Sequence, residues 1–174
     1  MYNQAKIQKL VDFVNNNKDL VDKAVFKNKL QSEFNLKTDR TVYYCDDFAV
    51  RVSYSKTATV SNTVLGLAKI KAYDNIPLFV IVVSPANHKI VLANSTCVKK
   101  VSHSSHKLTL TKIIGSINFS DISSEILGIK NIPENFEEIF NLHLTIGFNN
   151  NLKRLVDATS NIEGYRTKIH CKWF

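Results

Sequence analysis

Two adjacent acids, Asp46-Asp47, stand immediately before an alternating run, Phe48 to Tyr54, and are the first residues here whose type and position could do chemistry. A common metal-dependent nuclease core sets an Asp on one strand and an acid-x-Lys on the next. The carboxylates hold magnesium and the lysine assists the attacking water. Asp46 and Asp47 fit the first half. The second half is occupied by Val50-Arg51-Val52-Ser53, and none of the fifteen Asp/Glu residues is followed two positions later by lysine. Asp46 and Asp47 therefore remain weak catalytic candidates, with a solvated strand entry as the alternative. Gly115-Ser116-Ile117-Asn118 matches half of a phospholipase-D-type nuclease motif, but the upstream His-x-Lys is missing, so a turn is expected there. His103-Ser104-Ser105-His106 could share a metal at i, i+3 but has no acid or cysteine nearby. It reads better as a polar loop whose imidazoles and hydroxyls donate to phosphate oxygens, or as a plain solvent loop.

The charge distribution favours the phosphate reading. Residues 1–47 carry a net +1 and residues 121–174 a net −1, whereas residues 48–120 hold nine Lys/Arg against the single acid Asp74. The net +8 of the 174-residue chain thus sits in its middle. A block of one sign attracts a polyanion, and nucleic acid is the leading partner. The alternative is a set of lysines scattered over the surface and merely solvated.

The elements that must position these residues follow from periodicity. Ile7, Leu10, Val11 and Val14 share a helical face, and Asp19 is a plausible cap for a second helix to about Phe34, with Leu20, Ala24 and Leu30 inward. Phe48 to Tyr54 alternates as a half-buried strand, which would place Arg51 and Ser53 on a wet face. Ser55 to Thr63 is a connection, and Ser61 or Asn62 can cap a helix to about Tyr73. Leu78 to Val83 is an unbroken apolar run, the pattern of a strand covered on both faces, and Lys89 to Val98 reads as its antiparallel return. Pro133-Glu134 opens a helix through His143, and a last helix runs from about Asn149 to Ser160. Cys97 and His143 read as core residues.

The fold expected is α+β in a single domain, residues 1–174: a helical hairpin over 1–36, a basic mixed or antiparallel sheet region over 41–120, and a helical C-terminal part over 121–174. The longest uncharged apolar stretch, Ile76 to Pro85, is far short of a membrane span, and three widely spaced cysteines suit a reducing cytoplasm. No membrane association is expected.

The stretches Ser61–Leu65, Tyr73–Pro77, Leu92–Thr96, Val101–Ser105 and Gly115–Ile122 together resemble a segment of bacterial type II restriction endonucleases. The resemblance implies double-stranded DNA as partner, in a restriction-modification setting, with a homodimer or a larger restriction complex as the assembly. Three readings follow. In the first, the chain is a DNA-binding domain or subunit. There Arg51, Lys56, Lys99, Lys100 and Lys107 contact phosphates, and Ser53, Ser55, Asn62, His103, Ser104, Ser105 and His106 supply further hydrogen bonds. In the second it is the nuclease itself, needing Mg2+ at a divergent site around Asp46 and Asp47; no other cofactor is implied. In the third it is a protein-interaction subunit anchored by Phe136, Phe140, Trp173 and Phe174.

Overall fold

The structure, a computed structural model, describes residues 2–56, 63–104 and 107–170. Its α+β architecture places an N-terminal helical pair and C-terminal helices around a mixed five-stranded sheet. The chain opens with α1 (Gln4–Asn16), capped by the Asn3 side chain, and α2 (Lys23–Phe34). The cap of α2 is Asp22 rather than Asp19: its carboxylate accepts the backbone N–H groups of Ala24 and Val25. Ala24, expected inward, is exposed, and Phe26, Leu30 and Phe34 form the buried face.

A meander of β1 (Lys37–Asp39), β2 (Val42–Tyr44) and β3 (Ala49–Tyr54) follows, each pair antiparallel. The chain then crosses through β4 (Thr63–Gly66) and α3 (Leu67–Tyr73) to β5 (Leu78–Val83), which lies parallel to β3 in register Ala49↔Leu78. Strand β6 (Lys89–Leu92) returns antiparallel to β5 and closes the order β1-β2-β3-β5-β6. All six residues of β5 are buried, as an apolar run between two covered faces requires. One face of the sheet carries a chain of ring contacts, Phe34 to Phe48 to Phe79 to Phe136, with centroids 5.5, 6.5 and 5.1 Å apart. These rings tie the helical pair to the C-terminal α4 (Phe136–Ile146) through the sheet.

Two further local expectations are corrected. Where a helix was expected to run from Ser61 or Asn62, Thr63–Gly66 are strand β4, because they pair with β7 (Ser116–Asn118) before α3 begins at Leu67. The return strand stops at Leu92, where Asn94 leaves the ladder. Its side chain accepts from Leu78 N–H and donates to the carbonyls of Asp74 and Ile76. Ser95–Cys97 is therefore a 3₁₀ turn. Below it runs a buried polar network: Asp74 accepts from the Ser95 backbone and hydroxyl, and His143 sits between the Asp74 carbonyl (2.6 Å) and the Thr96 hydroxyl (2.8 Å). His143 is thus a satisfied core histidine, as expected. A small hairpin, β8 (Glu125–Ile126) and β9 (Ile129–Lys130), precedes α4, and α5 (Phe148–His170) ends the described chain. Among the described residues no helix is long and apolar enough to cross a membrane.

Candidate nucleic-acid interface

The strand that was to present Arg51 and Ser53 to solvent is covered on both sides. Ser53 and Ser55 are only 8% and 4% exposed. The reason is topological: β3 is an inner strand, with β2 and β5 beside it and β4 reaching over the face that carries Arg51. Arg51 is half-buried and its guanidinium is spent on backbone, donating from Nε to the Val64 carbonyl (2.8 Å) and from Nη1 to the Thr41 carbonyl (3.2 Å). Burial lowers its pKa, and Tyr43 nearby opposes that shift. Arg51 therefore acts mainly as a brace between the meander and β4, and Ser53 and Ser55 do not stand on an open surface. Lys56 is exposed. Asn62, Ser105, His106, Trp173 and Phe174 lie outside the described residues.

A different picture holds between Val98 and Lys107. Val98 bridges Ile122, and the backbones of His103 and Ser116 exchange hydrogen bonds of 3.1 and 2.7 Å. Asp121, with no exposed surface, fixes this segment. Its carboxylate accepts from the Ser102 hydroxyl (2.7 Å) and from Asn118 N–H (2.8 Å), and its carbonyl accepts from Lys99 N–H (2.7 Å). His103 Nε2 meets Asn118 Oδ1 at 2.9 Å, and the Ser104 hydroxyl donates to the Ile114 carbonyl. Gly115, at φ +147°, lets the second limb approach: a Cβ there would fall 2.6 Å from Val101 Cγ1. On this braced ridge Lys99 and Lys100 are exposed, and Lys107, further along the chain, is exposed as well. Among the described residues none of the three has an acid within ion-pair distance. Glu125 lines the same cavity of about 310 Å³ as Lys99 but lies beyond that distance. The role of Asp121 was not recognised in the sequence, although Asn118-x-x-Asp121 has the spacing of a capping box and forms one here.

Two other lysines of the basic block, Lys69 and Lys71, are neutralised or committed. Lys69 pairs with Asp39, whose other oxygen accepts from the Tyr73 hydroxyl at 2.8 Å. Hydrogen bonds from Lys69 and then Tyr73 hold the Asp39 carboxyl below the usual carboxylate range. Lys71 lies over the Phe148 ring, 5.9 Å from its centroid.

A cleft of about 640 Å³ is lined by Val21, Asp22, Lys23, Ala24, Lys27 and Tyr54. It was invisible in the charge count because Lys23 and Lys27 lie in the neutral segment 1–47. Burial, then the charges of Arg51 and Lys27, lower the pKa of Lys23.

The remaining chemical candidates are not assembled. Asp46 is exposed, and Asp47 accepts a hydrogen bond from Asn3 Nδ2 at 2.7 Å. Both precede β3, while the cleft lies at its far end, roughly 20 Å away at about 3.3 Å per residue. Among the described residues no group of three or more His, Cys, Asp and Glu is placed to hold a metal. Asp46 and Asp47 therefore form no magnesium cage with a third such ligand there. Cys97 is fully buried, and its thiol is pushed up to about 12 by burial and by Asp74, which leaves it without thiolate character. Phe136 and Phe140 are fully buried core residues and cannot serve as contact anchors. No protein-family model, curated protein or solved structure matches this chain.

Proposed function

We propose that the protein binds double-stranded DNA as a component of a restriction-modification system, using Lys99 and Lys100 of the ridge, together with Lys107, for phosphate contacts. One observation carries this reading. Two exposed lysines, Lys99 and Lys100, stand on a short, braced segment with exposed Lys107 following it in the chain, and the acid packed into that segment, Asp121, is buried and spent on Ser102 and Asn118. Ammonium groups without a counter-charge attract a polyanion, and rigid backing lowers the entropy lost on binding. His103 and Ser104 flank the lysines and complete the polar surface, while Lys56 is a further exposed cation. The restriction setting rests on the sequence resemblance.

The test is titration of mixed-sequence duplex at several salt concentrations. Log affinity should fall linearly with log salt, by about 0.9 per phosphate neutralised. Lys99→Glu combined with Lys100→Glu should lower affinity at least tenfold, about 1.4 kcal/mol, and flatten the slope. Its melting temperature should stay close to the parent's, because exposed substitutions typically move stability within about 0.5 kcal/mol. A folded double variant that binds duplex as tightly as the parent would refute the assignment.

A further inference from the structure

We infer that the cleft between the start of α2 and the end of β3 is a binding site for a nucleoside phosphate, with Lys23 and Lys27 on the phosphate and Tyr54 against the base. This goes beyond the duplex reading and uses other residues.

Lys23 and Lys27 are one helical turn apart, so they project from the same side of α2, and both line the cleft. Lys27 Nζ stands 6.0 Å from the centroid of the Tyr43 ring, and Lys23 feels the charges of both Lys27 and Arg51. Among the described residues no acid lies within ion-pair distance of either lysine. The acid that lines the cleft, Asp22, has its carboxylate on the Ala24 and Val25 N–H groups. Lys23 and Lys27 thus line one space, and burial together with the charges of Arg51 and Lys27 raises the cost of charging Lys23. A bound dianion relieves that repulsion.

The position supports the same conclusion. The cleft opens at the carboxyl end of β3, one of the two parallel strands. In open α/β sheets the chain diverges beyond the carboxyl ends of parallel strands and leaves a crevice there. Val21, Ala24 and the exposed ring of Tyr54 make the remaining wall apolar and aromatic. Such a wall suits a flat base, since stacking on an aromatic side chain is sequence-tolerant. The volume admits a single nucleotide, whereas a duplex is too wide to enter. The ligand is therefore either a free nucleotide or one unpaired nucleotide of a strand.

Two probes separate these sources: ADP, followed by calorimetry, and a fluorescein-labelled dT12 oligonucleotide, followed by anisotropy, both with the full chain. The parent should bind at least one. Lys23→Glu with Lys27→Glu should weaken that binding at least tenfold. Tyr54→Ala should weaken it severalfold, whereas Tyr54→Phe retains it. Lys99→Glu with Lys100→Glu, which reports on the ridge, should leave it within twofold. Binding of ADP alone assigns a free nucleotide, and binding of dT12 alone assigns an unpaired strand. Circular dichroism checks the double variant, and Lys27→Gln replaces it should the helix be disturbed. Three outcomes each overturn the inference: neither probe bound by the parent, binding indifferent to Lys23 and Lys27 in folded variants, or a response to Lys99 and Lys100 instead. Inorganic pyrophosphate matching ADP in affinity, with Tyr54→Ala silent, overturns it as well.

Discussion

Lys69 and Lys99 belong to the same basic stretch of sequence and end in opposite electrostatic states. Lys69, on α3, meets Asp39 from β1, thirty residues away, and its charge is cancelled locally. Lys99, on the ridge, lies close in the chain fold to an acid as well, but Asp121 turns inward to Ser102 and Asn118 and leaves the lysine uncompensated. An acid near a lysine in the fold does not neutralise it unless the carboxylate faces it. The one edge is a closed ion pair with a tyrosine lid, the other a cationic surface on rigid backing.

The largest expected effect tests that backing. Gly115→Ala combines a φ of +147° with contacts of 2.6 Å to Val101 Cγ1 and 3.0 Å to the His103 carbonyl. It should cost about 2–4 kcal/mol, lowering Tm by roughly 6–12 °C in a chain of this length. Gly128→Ala is the matched control: its φ is +87° but nothing lies within 4 Å, so only the backbone strain of about 1 kcal/mol applies. Equal Tm losses for the two would mean that the ridge is not packed against its second limb.

Next comes the buried acid. Asp121→Asn keeps the shape, with its oxygen on Asn118 N–H and its amide donating to the Ser102 hydroxyl, but both hydrogen bonds lose the charged acceptor that strengthens them. The expected loss is about 1–3 kcal/mol in denaturant unfolding, together with weaker duplex binding from a loosened ridge. Weaker stability with unchanged DNA affinity would show that the brace serves the fold alone.

The smallest effect belongs to the closed ion pair. The Asp39 carboxyl is held low in the folded state, so its contribution is fully present above the ordinary carboxylate range and is lost as pH falls through the lowered value. Asp39→Asn lacks that increment. The Tm difference between parent and variant should therefore be visible at pH 7 and shrink as pH falls through and below the ordinary carboxylate range. A difference that grows in acid would reverse the assigned sign. Duplex affinity should stay within twofold, in contrast with the ridge.

Much of the architecture was legible locally. The buried run of β5, the helical pair, the helix α4 that follows the 3₁₀ turn at Pro133–Asn135 and the core placement of Cys97 and His143 all follow from periodicity or from apolar content. The misreading of β3 was instructive. Phe48 to Tyr54 alternates as a half-buried strand should, yet Ser53 is buried and Arg51 is tied to two carbonyls, because covering by β4 is decided forty or more residues downstream, where β7 supplies its partner. Nothing between Ala49 and Tyr54 announces it. The start of α2 moved for a similar reason of competition: Asp19 and Asp22 both suit a cap, and only burial of Phe26, Leu30 and Phe34 selects between them.

The sequence by itself determined the helical pair, the helical C-terminal part, the buried run of β5 and how much positive charge the chain carries, since these depend on side chains a few residues apart. The tertiary structure decided which cations are available. It spent Arg51 on carbonyls, paired Lys69 with Asp39, left Lys99, Lys100 and Lys107 facing solvent, and gathered Lys23 and Lys27 from a neutral segment around a cleft. Charge availability is a pairwise property that falls off within a few ångströms in water, so it is set by which residues meet in space and not by their order along the chain.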